Sequence, residues 1–277
     1  MQLRSILRRI GRVGKSLVPP ILTDLGRTLL QPIRKPAPPW SRIQQGPLQG
    51  AWVYARPTRA SPTETSVGSA ISALVRSGWI CFDVGAHFGN YTLLMARLAG
   101  AAGQVHAFEP VPFNLTILQE NVRRNGIAHI VRIHPFALAN ATGTARFRAS
   151  NAPRESGQGF LVGLDPPDLT WAQRRFPEFP VEQRRLDDLR RELSIPPPQL
   201  IKIDVEGAEV DVLRGAFDTI RAVRPALIVE LHTEFNAALC ATILAELGYV
   251  LNVRQSPRET RPQIIALPPG SSAAEPP

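Results

Sequence analysis

The chain has 277 residues with a net charge of +9, and 44% of its residues are apolar, enough for one large hydrophobic core. No apolar run reaches the about 18 residues that a membrane-spanning helix needs. The two cysteines, Cys81 and Cys240, sit in apolar patterns and are predicted as small core residues rather than a disulfide. No Cys/His cluster has the spacing of a zinc site. We therefore predict a cytoplasmic protein without a metal site.

The N-terminal segment is basic, because residues 1–35 carry eight Lys or Arg and a single acid, Asp24. Apolar residues from Leu3 to Leu17 recur at helical spacing, which predicts a basic amphipathic helix. Such a helix can contact an anionic membrane through residues 1–20 or pack on its own domain, and a mitochondrial presequence would have the same pattern. Residues 36–65 are predicted as a proline-rich linker and entry segment, and residues 268–277 as a disordered tail.

Between these ends, strand and helix patterns alternate, which predicts an α/β domain over residues 66–267 with a mostly parallel sheet. Predicted strands span residues 80–84, 104–108, 130–135, 200–205 and 226–231, and predicted helices span 91–99, 114–125, 209–221 and 236–247. Residues 140–186 break this rhythm. Short antiparallel strands are predicted there at 144–148, 159–164 and 181–186, around a polar loop at 150–157. An insertion of this kind can form a lid over a substrate.

A glycine loop carries the first functional signal. A short apolar run ends in Asp83, and Gly85 and Gly89 follow before a helical pattern begins. This order predicts a buried strand, a tight loop and a helix N-terminus that can hold a ligand. The next apolar stretch ends in Glu109, and an acid about 20 residues beyond such a loop can accept hydrogen bonds from a ribose diol. Together these features predict a nucleoside-bearing cofactor.

The spacing of the loop discriminates between cofactors. A dinucleotide loop has the pattern G-x-G-x-x-G, whose middle glycine lets pyrophosphate approach the backbone, but this loop has His87 there. S-adenosylmethionine carries no phosphate. It needs a close loop for its methionine part and an acid for its ribose, so the sequence favours it over a nicotinamide dinucleotide. An ordinary strand–turn–helix followed by a chance acid is the alternative without a cofactor.

A second polar cluster lies on the strand predicted at 200–205. Side chains alternate faces along a strand, so Lys202, Asp204 and Glu206 share one face while aliphatic residues fill the other. Three charges buried without partners would be costly. We therefore place them at the carboxyl end of the strand, where open α/β sheets bind ligands. A solvated edge strand is the alternative.

These motifs, in this order, resemble the FkbM-type methyltransferases over about residues 66–254. The resemblance is carried by residues 83–93, 108–114, Asn121, 125–126, 186–188, 201–209, 213–216, Pro225 and Glu230. One departure is His87, where the family usually has Asn. The resemblance implies a class I (Rossmann-like) methyltransferase sheet with helices on both faces. Two further strands near 249–254 and 263–267 would complete seven, one of them antiparallel. It also implies S-adenosylmethionine as cofactor and, usually, O-methylation of a hydroxyl on a sugar, glycan or natural product.

The motifs supply candidate residues for each role. Candidate cofactor-binding residues are Asp83, Gly85, His87, Gly89, Asn90, Glu109 and Asn114. A hydroxyl acceptor needs a base near the transfer point, and the candidates are Asp204, Glu206, His134 and His232. Lys202 could pair with one of these carboxylates or lower the pKa of the acceptor hydroxyl. Glu209 is predicted to act mainly on the dipole of the helix that it begins, and a lone histidine such as His232 is often structural.

The net charge of +9 also raises the alternative of a nucleic-acid-binding protein, since a basic patch is the footprint of such proteins. Much of the excess lies in the N-terminal segment, however, and only 6% of residues are aromatic, which gives little support to base stacking. We therefore expect a small-molecule or glycan acceptor and no nucleic-acid partner. A nicotinamide-dependent oxidoreductase is the other alternative, and His87 disfavours it.

Overall fold

The computed structural model describes residues 40–54, 65–149, 160–162, 176–255 and 261–270. These residues all lie in one unit that spans residues 40–277. The predicted amphipathic helix, the polar loop at 150–157 and most of the predicted tail lie outside the described residues. Among the described helices, none combines the length and hydrophobicity that a membrane span requires.

Strands and helices alternate along most of the described chain. In chain order, the elements are β1 (Ser41–Arg42), β2 (Trp52–Val53), α1 (Ser66–Leu74), β3 (Ile80–Val84), α2 (Asn90–Ala99), β4 (Gln104–Phe108), α3 (Pro112–Arg124), β5 (Val131–His134), β6 (Ala137–Leu138), β7 (Gly143–Arg148), β8 (Phe160–Leu161), β9 (Glu178–Arg184), α4 (Leu186–Glu192), β10 (Leu200–Ile203), α5 (Glu209–Gly215), α6 (Phe217–Val223), β11 (Ala226–Glu230), α7 (Glu234–Glu246), β12 (Val250–Arg254) and β13 (Gln263–Leu267).

Seven strands form the central sheet in the order β12-β13-β11-β10-β3-β4-β5. The neighbours from β11 to β5 pair in parallel, and β13 runs antiparallel to both of its neighbours. Helices α1 to α3 pack on one face, and α4, α5 and α7 pack on the other. The predicted sheet, with its single antiparallel strand and helices on both faces, is confirmed.

One predicted helix is divided in two. The helix expected over 209–221 ends at Gly215, and α6 begins two residues later at Phe217. Gly215 lies so close to the loop after β6 that a Cβ atom there would come within 1.9 Å of the Ala139 carbonyl oxygen. This contact comes from a distant part of the chain, so the local helical pattern does not reveal the break.

The insertion forms a separate four-stranded sheet in the order β6-β9-β7-β8. Strand β7 is antiparallel to both β8 and β9, as predicted, whereas β6 joins β9 in parallel. Its apolar side chains Ala137, Phe147 and Val181 pack with Val111 and Ala208 from the main domain. The insertion is thereby fixed beside the carboxyl ends of β4 and β10.

The structure differs from the linker predicted over 36–65, because residues 40–54 pack on the domain. Strands β1 and β2 pair antiparallel, and the Asn125 side chain bonds both backbone groups of Trp52, at 2.9 and 2.8 Å. The Arg124 guanidinium lies 4.6 Å from the ring centroid of Trp40. Two-residue strands held by tertiary contacts leave no periodic pattern in the sequence.

Two neighbouring histidines, the buried His106 and the half-buried His134, lie on the outer parallel strands. His106 on β4 and His134 at the end of β5 lie on paired strands, with Nδ1 of His106 2.9 Å from Nε2 of His134. Burial lowers the pKa of each ring from 6.5 to about 4, and for His106 the neighbouring His134 and Arg132 add to the effect. His134, a candidate base from sequence, is thus paired within the sheet.

This pair should make folding stability fall as the pH is lowered from 6.5 to about 4. The unfolded chain binds protons first in that window, which costs about 1–3 kcal/mol of stability. Urea unfolding at several pH values should show a flatter pH dependence for the double variant His106→Gln/His134→Gln than for the wild type. The exposed His129→Gln is the matched control, and equal slopes in all three proteins would contradict the assignment.

Candidate active site

A cleft of about 210 Å³ opens at the carboxyl ends of β3, β4 and β10. The loop after β3 forms one wall, and the inserted sheet contributes Ala137, Leu138 and Phe147 to the other. This is the edge at which open α/β sheets bind ligands. Predicted site residues that line the cleft are Gly85, His87, Asn90, Glu109, Asn114, Lys202, Asp204 and Glu206.

The glycine loop is shaped by its close approach to the neighbouring strand. Gly85 has φ +74°, and a Cβ atom there would lie 1.8 Å from the Asp204 carbonyl oxygen. Gly89 has φ +88° and caps α2, and a Cβ atom there would lie 2.4 Å from a Leu118 methyl group. Glycine is therefore required at both positions for packing. Gly85 faces the cleft, whereas Gly89 backs onto the core.

Glu109 and Asn114 form a buried group of hydrogen-bond acceptors beside the loop. Glu109 accepts hydrogen bonds from the backbone N–H groups of His87 and Val111 at 2.8 and 2.9 Å, and from the Asn114 side chain at 3.1 Å. Burial raises the pKa of Glu109, and these hydrogen bonds oppose the rise. Among the described residues, the buried Oδ1 of Asn114 has no hydrogen-bond partner, so the pair can accept further hydrogen bonds from a ligand.

Lys202 lies behind the glycine loop and joins it to β10. Its Nζ is 3.1 Å from Asp83 Oδ1, 3.0 Å from the Gly85 carbonyl oxygen and 3.5 Å from Asp204 Oδ2. Burial alone would lower the pKa of Lys202, but the carboxylates of Asp83 and Asp204 outweigh it and the pKa rises. The ammonium group therefore remains charged and cannot act as a base.

Asp83 differs from its predicted role. Its side chain is fully buried and binds Lys202 and the Thr92 hydroxyl, which donates at 2.6 Å. It therefore faces the interior behind the loop and is not among the described residues that line the cleft. The carboxylate near the end of β3 instead fixes the loop and the first turn of α2.

A carboxylate–histidine cluster occupies the acceptor side predicted for Asp204 and Glu206. His232 lies behind these two residues, with Nε2 3.2 Å from Glu206 Oε2 and 3.7 Å from Asp204 Oδ1. Its Nδ1 is 2.7 Å from Glu209 Oε1. Burial would lower the pKa of His232, but Glu206 and Glu209 raise it to about 10.

Three further residues belong to this cluster although the sequence did not predict them as site residues: Glu209, Glu230 and Asn236. The fully buried Glu209 accepts hydrogen bonds from the Gly207 N–H and from the Asn236 side chain, both at 2.8 Å. Glu230 ends β11, and burial together with the Asp204 charge raises its pKa to about 7. In the sequence, the signal for Glu230 is its place at the end of an apolar strand, two residues before His232. Asn236 lies in the first turn of a separate helix, so no local pattern reveals it.

Replacing Lys202 by Met should lower the free energy of unfolding by about 3–5 kcal/mol, since the Asp83 carboxylate would be buried without its cation. Urea unfolding of the wild type and the variant at neutral pH measures the change. The double variant Lys202→Met/Asp83→Asn should recover part of the loss, because no buried charge is then unpaired. Wild-type stability in the single variant, or strictly additive losses in the double variant, would contradict this pairing.

Comparison with known proteins identifies the family. The sequence profile of the Methyltransferase FkbM domain matches residues 83–251. The 31-O-demethyl-FK506 methyltransferase FkbM of Streptomyces tacrolimicus is 28% identical over 204 residues, which cover 66% of this chain and 77% of that protein. The 2-O-methyltransferase NoeI of Sinorhizobium fredii (strain NBRC 101917 / NGR234) is 28% identical over 159 residues, which cover 56% of this chain and 64% of that protein.

The fold is also shared with a solved structure. The crystal structure of methyltransferase FkbM from Methylobacillus flagellatus KT matches with a TM-score of 0.51 and 20% sequence identity, over 71% of this chain. The match spans 45% of that protein, so this chain corresponds to less than half of its length. The chain thus belongs to the FkbM methyltransferase domain family, and its fold is the class I fold of S-adenosylmethionine-dependent methyltransferases.

Proposed function

We propose that this protein transfers the methyl group of S-adenosylmethionine to a hydroxyl group of a sugar, glycan or natural product. The observation that carries the proposal is the division of one cleft into two chemically different sides. Glu109 and Asn114 lie beyond β4, whereas Asp204 and Glu206 lie beyond β10, and the glycine loop of β3 lies between them. Two relatives have names that specify methyl transfer at an oxygen, which supports a hydroxyl acceptor.

The side formed by Glu109 and Asn114 suits the nucleoside of the cofactor. A ribose diol offers two hydroxyl donors, and the unpartnered Asn114 Oδ1 and the Glu109 carboxylate can accept them. Phosphate would be unfavourable beside this acid, which agrees with a cofactor that carries none. When bound, S-adenosylmethionine supplies an activated methyl group on a sulfonium.

The side formed by Asp204 and Glu206 suits the acceptor hydroxyl. Each carboxylate can accept a hydrogen bond from the hydroxyl, and at least one of them takes its proton as the oxygen–carbon bond forms. Glu206 has a left-handed backbone, with φ +53°, a conformation that costs free energy and is common at functional sites. His232 is already protonated at neutral pH by its raised pKa. We therefore give it a positioning role beside Glu206 and not the role of base.

The cofactor side is tested by Glu109→Ala. The variant should bind S-adenosylhomocysteine more weakly by about 1–3 kcal/mol, the range for loss of a hydrogen-bonded charged partner. Isothermal titration calorimetry measures the affinity, and thermal unfolding confirms that the variant is folded. Glu120→Ala, on the outer face of α3, is the matched control. Equal affinity of the Glu109 variant and the wild type would show that Glu109 does not hold the ribose.

The acceptor side is tested by Asp204→Asn and Glu206→Gln. Each preserves shape and removes a charge, so turnover should fall by about 10²-fold or more in at least one variant, the usual effect of losing a general base. Affinity for S-adenosylhomocysteine should change far less. Transfer of labelled methyl to a panel of sugar, glycan and polyketide alcohols measures turnover, with the exposed Glu246→Gln as control. If no hydroxyl compound is methylated, the proposed function fails. Full turnover in both variants would instead show that another residue acts as the general base.

A further inference from the structure

We propose that Asp204, Glu230 and His232 form a binding site for a divalent metal ion at the edge of the cleft. One potential ligand atom from each side chain lies within 4.8 Å of the other two. Asp204 follows β10 and Glu230 ends the adjacent strand β11, so the parallel sheet brings their carboxylates to the same edge. No sequence motif contains all three residues, which is why the sequence predicts no metal site.

The two oxygens of Asp204 have different neighbours. Oδ2 lies 3.5 Å from the Lys202 ammonium, whereas Oδ1 lies 3.7 Å from Nε2 of His232. The second distance is too long for a hydrogen bond. Two ligands of one octahedral Mn²⁺ ion, each about 2.2 Å from it, lie about 3.1 Å apart when adjacent and about 4.4 Å apart when opposite, and the 3.7 Å separation falls within that range. Oδ1 and Nε2 are therefore placed as a pair of ligands.

The ring of His232 is held in the orientation that a ligand requires. The hydrogen bond from Nδ1 to Glu209, at 2.7 Å, assigns a proton to Nδ1 and directs Nε2 toward Glu206 Oε2 at 3.2 Å and Asp204 Oδ1 at 3.7 Å. A bound ion would replace the second proton of the ring, which the raised pKa of His232 keeps on Nε2 in the metal-free protein. Glu209 is fully buried and is held in turn by Asn236 at 2.8 Å. A carboxylate behind the second ring nitrogen is the usual support of a metal-bound histidine, and it is a feature that an acidic surface cluster lacks.

The local charge favours a cation. The positive charge of Lys202 is balanced by the buried carboxylate of Asp83, 3.1 Å away. Among the described residues, the other carboxylates of this cluster are those of Asp204, Glu206 and Glu209, which lie within 3.7 Å of the ring of His232, and that of Glu230. Partly buried carboxylates are costly without compensating charge. A divalent ion among them would supply that charge.

The chemistry of the three ligand atoms indicates which ion would bind. Together with the proposed function, it also indicates the kind of acceptor. Two carboxylates with one imidazole suit Mn²⁺ and leave coordination positions open. Two neighbouring hydroxyl oxygens of a sugar could fill them, and we infer that the acceptor is a vicinal diol. The ion would lower the pKa of the bound hydroxyl. Glu206 would accept the proton as the oxygen–carbon bond forms and the carbon–sulfur bond breaks, with its electron pair left on sulfur.

The site is tested with Mn²⁺ alone. Full-length protein is stripped with EDTA, and Mn²⁺ binding is followed by electron paramagnetic resonance without cofactor or acceptor. We expect one tightly bound ion per chain, with a nitrogen coupling in pulsed spectra from the imidazole. His232→Gln should abolish that coupling, and Glu230→Gln should weaken binding at least tenfold. Glu234→Gln, an exposed acid at the start of α7, is the matched control.

The outcomes separate this site from the proposed function. No stoichiometric Mn²⁺, or equal affinity in Glu230→Gln and Glu234→Gln when thermal unfolding shows both to be folded, would overturn the metal site and leave methyl transfer standing. With a methylated acceptor available, EDTA should lower turnover at least tenfold and Mn²⁺ should restore it. Turnover that is insensitive to EDTA would overturn the activating role of the ion. Failure to find any hydroxyl acceptor would leave Mn²⁺ binding intact.

Discussion

The buried ion pair between Lys202 and Asp83 is the interaction on which the rest of the cleft depends. The two residues are register partners on the adjacent strands β10 and β3, so the sheet itself brings their charges together. Lys202 also donates to the Gly85 carbonyl group, and Asp83 accepts from Thr92 on α2. One cation thus fixes the strand end, the loop and the following helix. Because each charge satisfies the other, the pair can be buried without the cost of an isolated ion.

This ion pair also helps to position the carboxylates on both sides of the cleft. The glycine loop that it holds donates the His87 N–H to Glu109, which orients the carboxylate on the β4 side. On the β10 side, Lys202 engages only one oxygen of Asp204, which leaves the other oxygen directed toward His232. A neutral residue at position 202 would disturb both sides, since each is positioned through the same ammonium group.

The sheet was predictable from sequence because its strands are short apolar runs that end in polar residues, and their helices keep a helical period. The acids at the strand ends located the cleft for the same reason. The features that were missed depend on tertiary contacts instead. Asn125 holds the hairpin at residues 40–54, and the Ala139 carbonyl group lies against Gly215 where the predicted long helix breaks. The sequence alone predicts that Asp83 binds the cofactor, because no local pattern shows that Lys202 lies opposite it on the neighbouring strand.

The position of Glu209 shows how one residue can serve both the fold and the site. Its place in the first turn of α5 puts its carboxylate near the positive end of the helix dipole. That charge is then available to the Nδ1 of His232, while Asn236 and the Gly207 N–H fill its remaining hydrogen-bonding capacity. The helix therefore stabilises the carboxylate, and the carboxylate fixes the imidazole. The dipole role predicted from sequence is consequently the physical basis for the orientation of His232 beside Asp204 and Glu206.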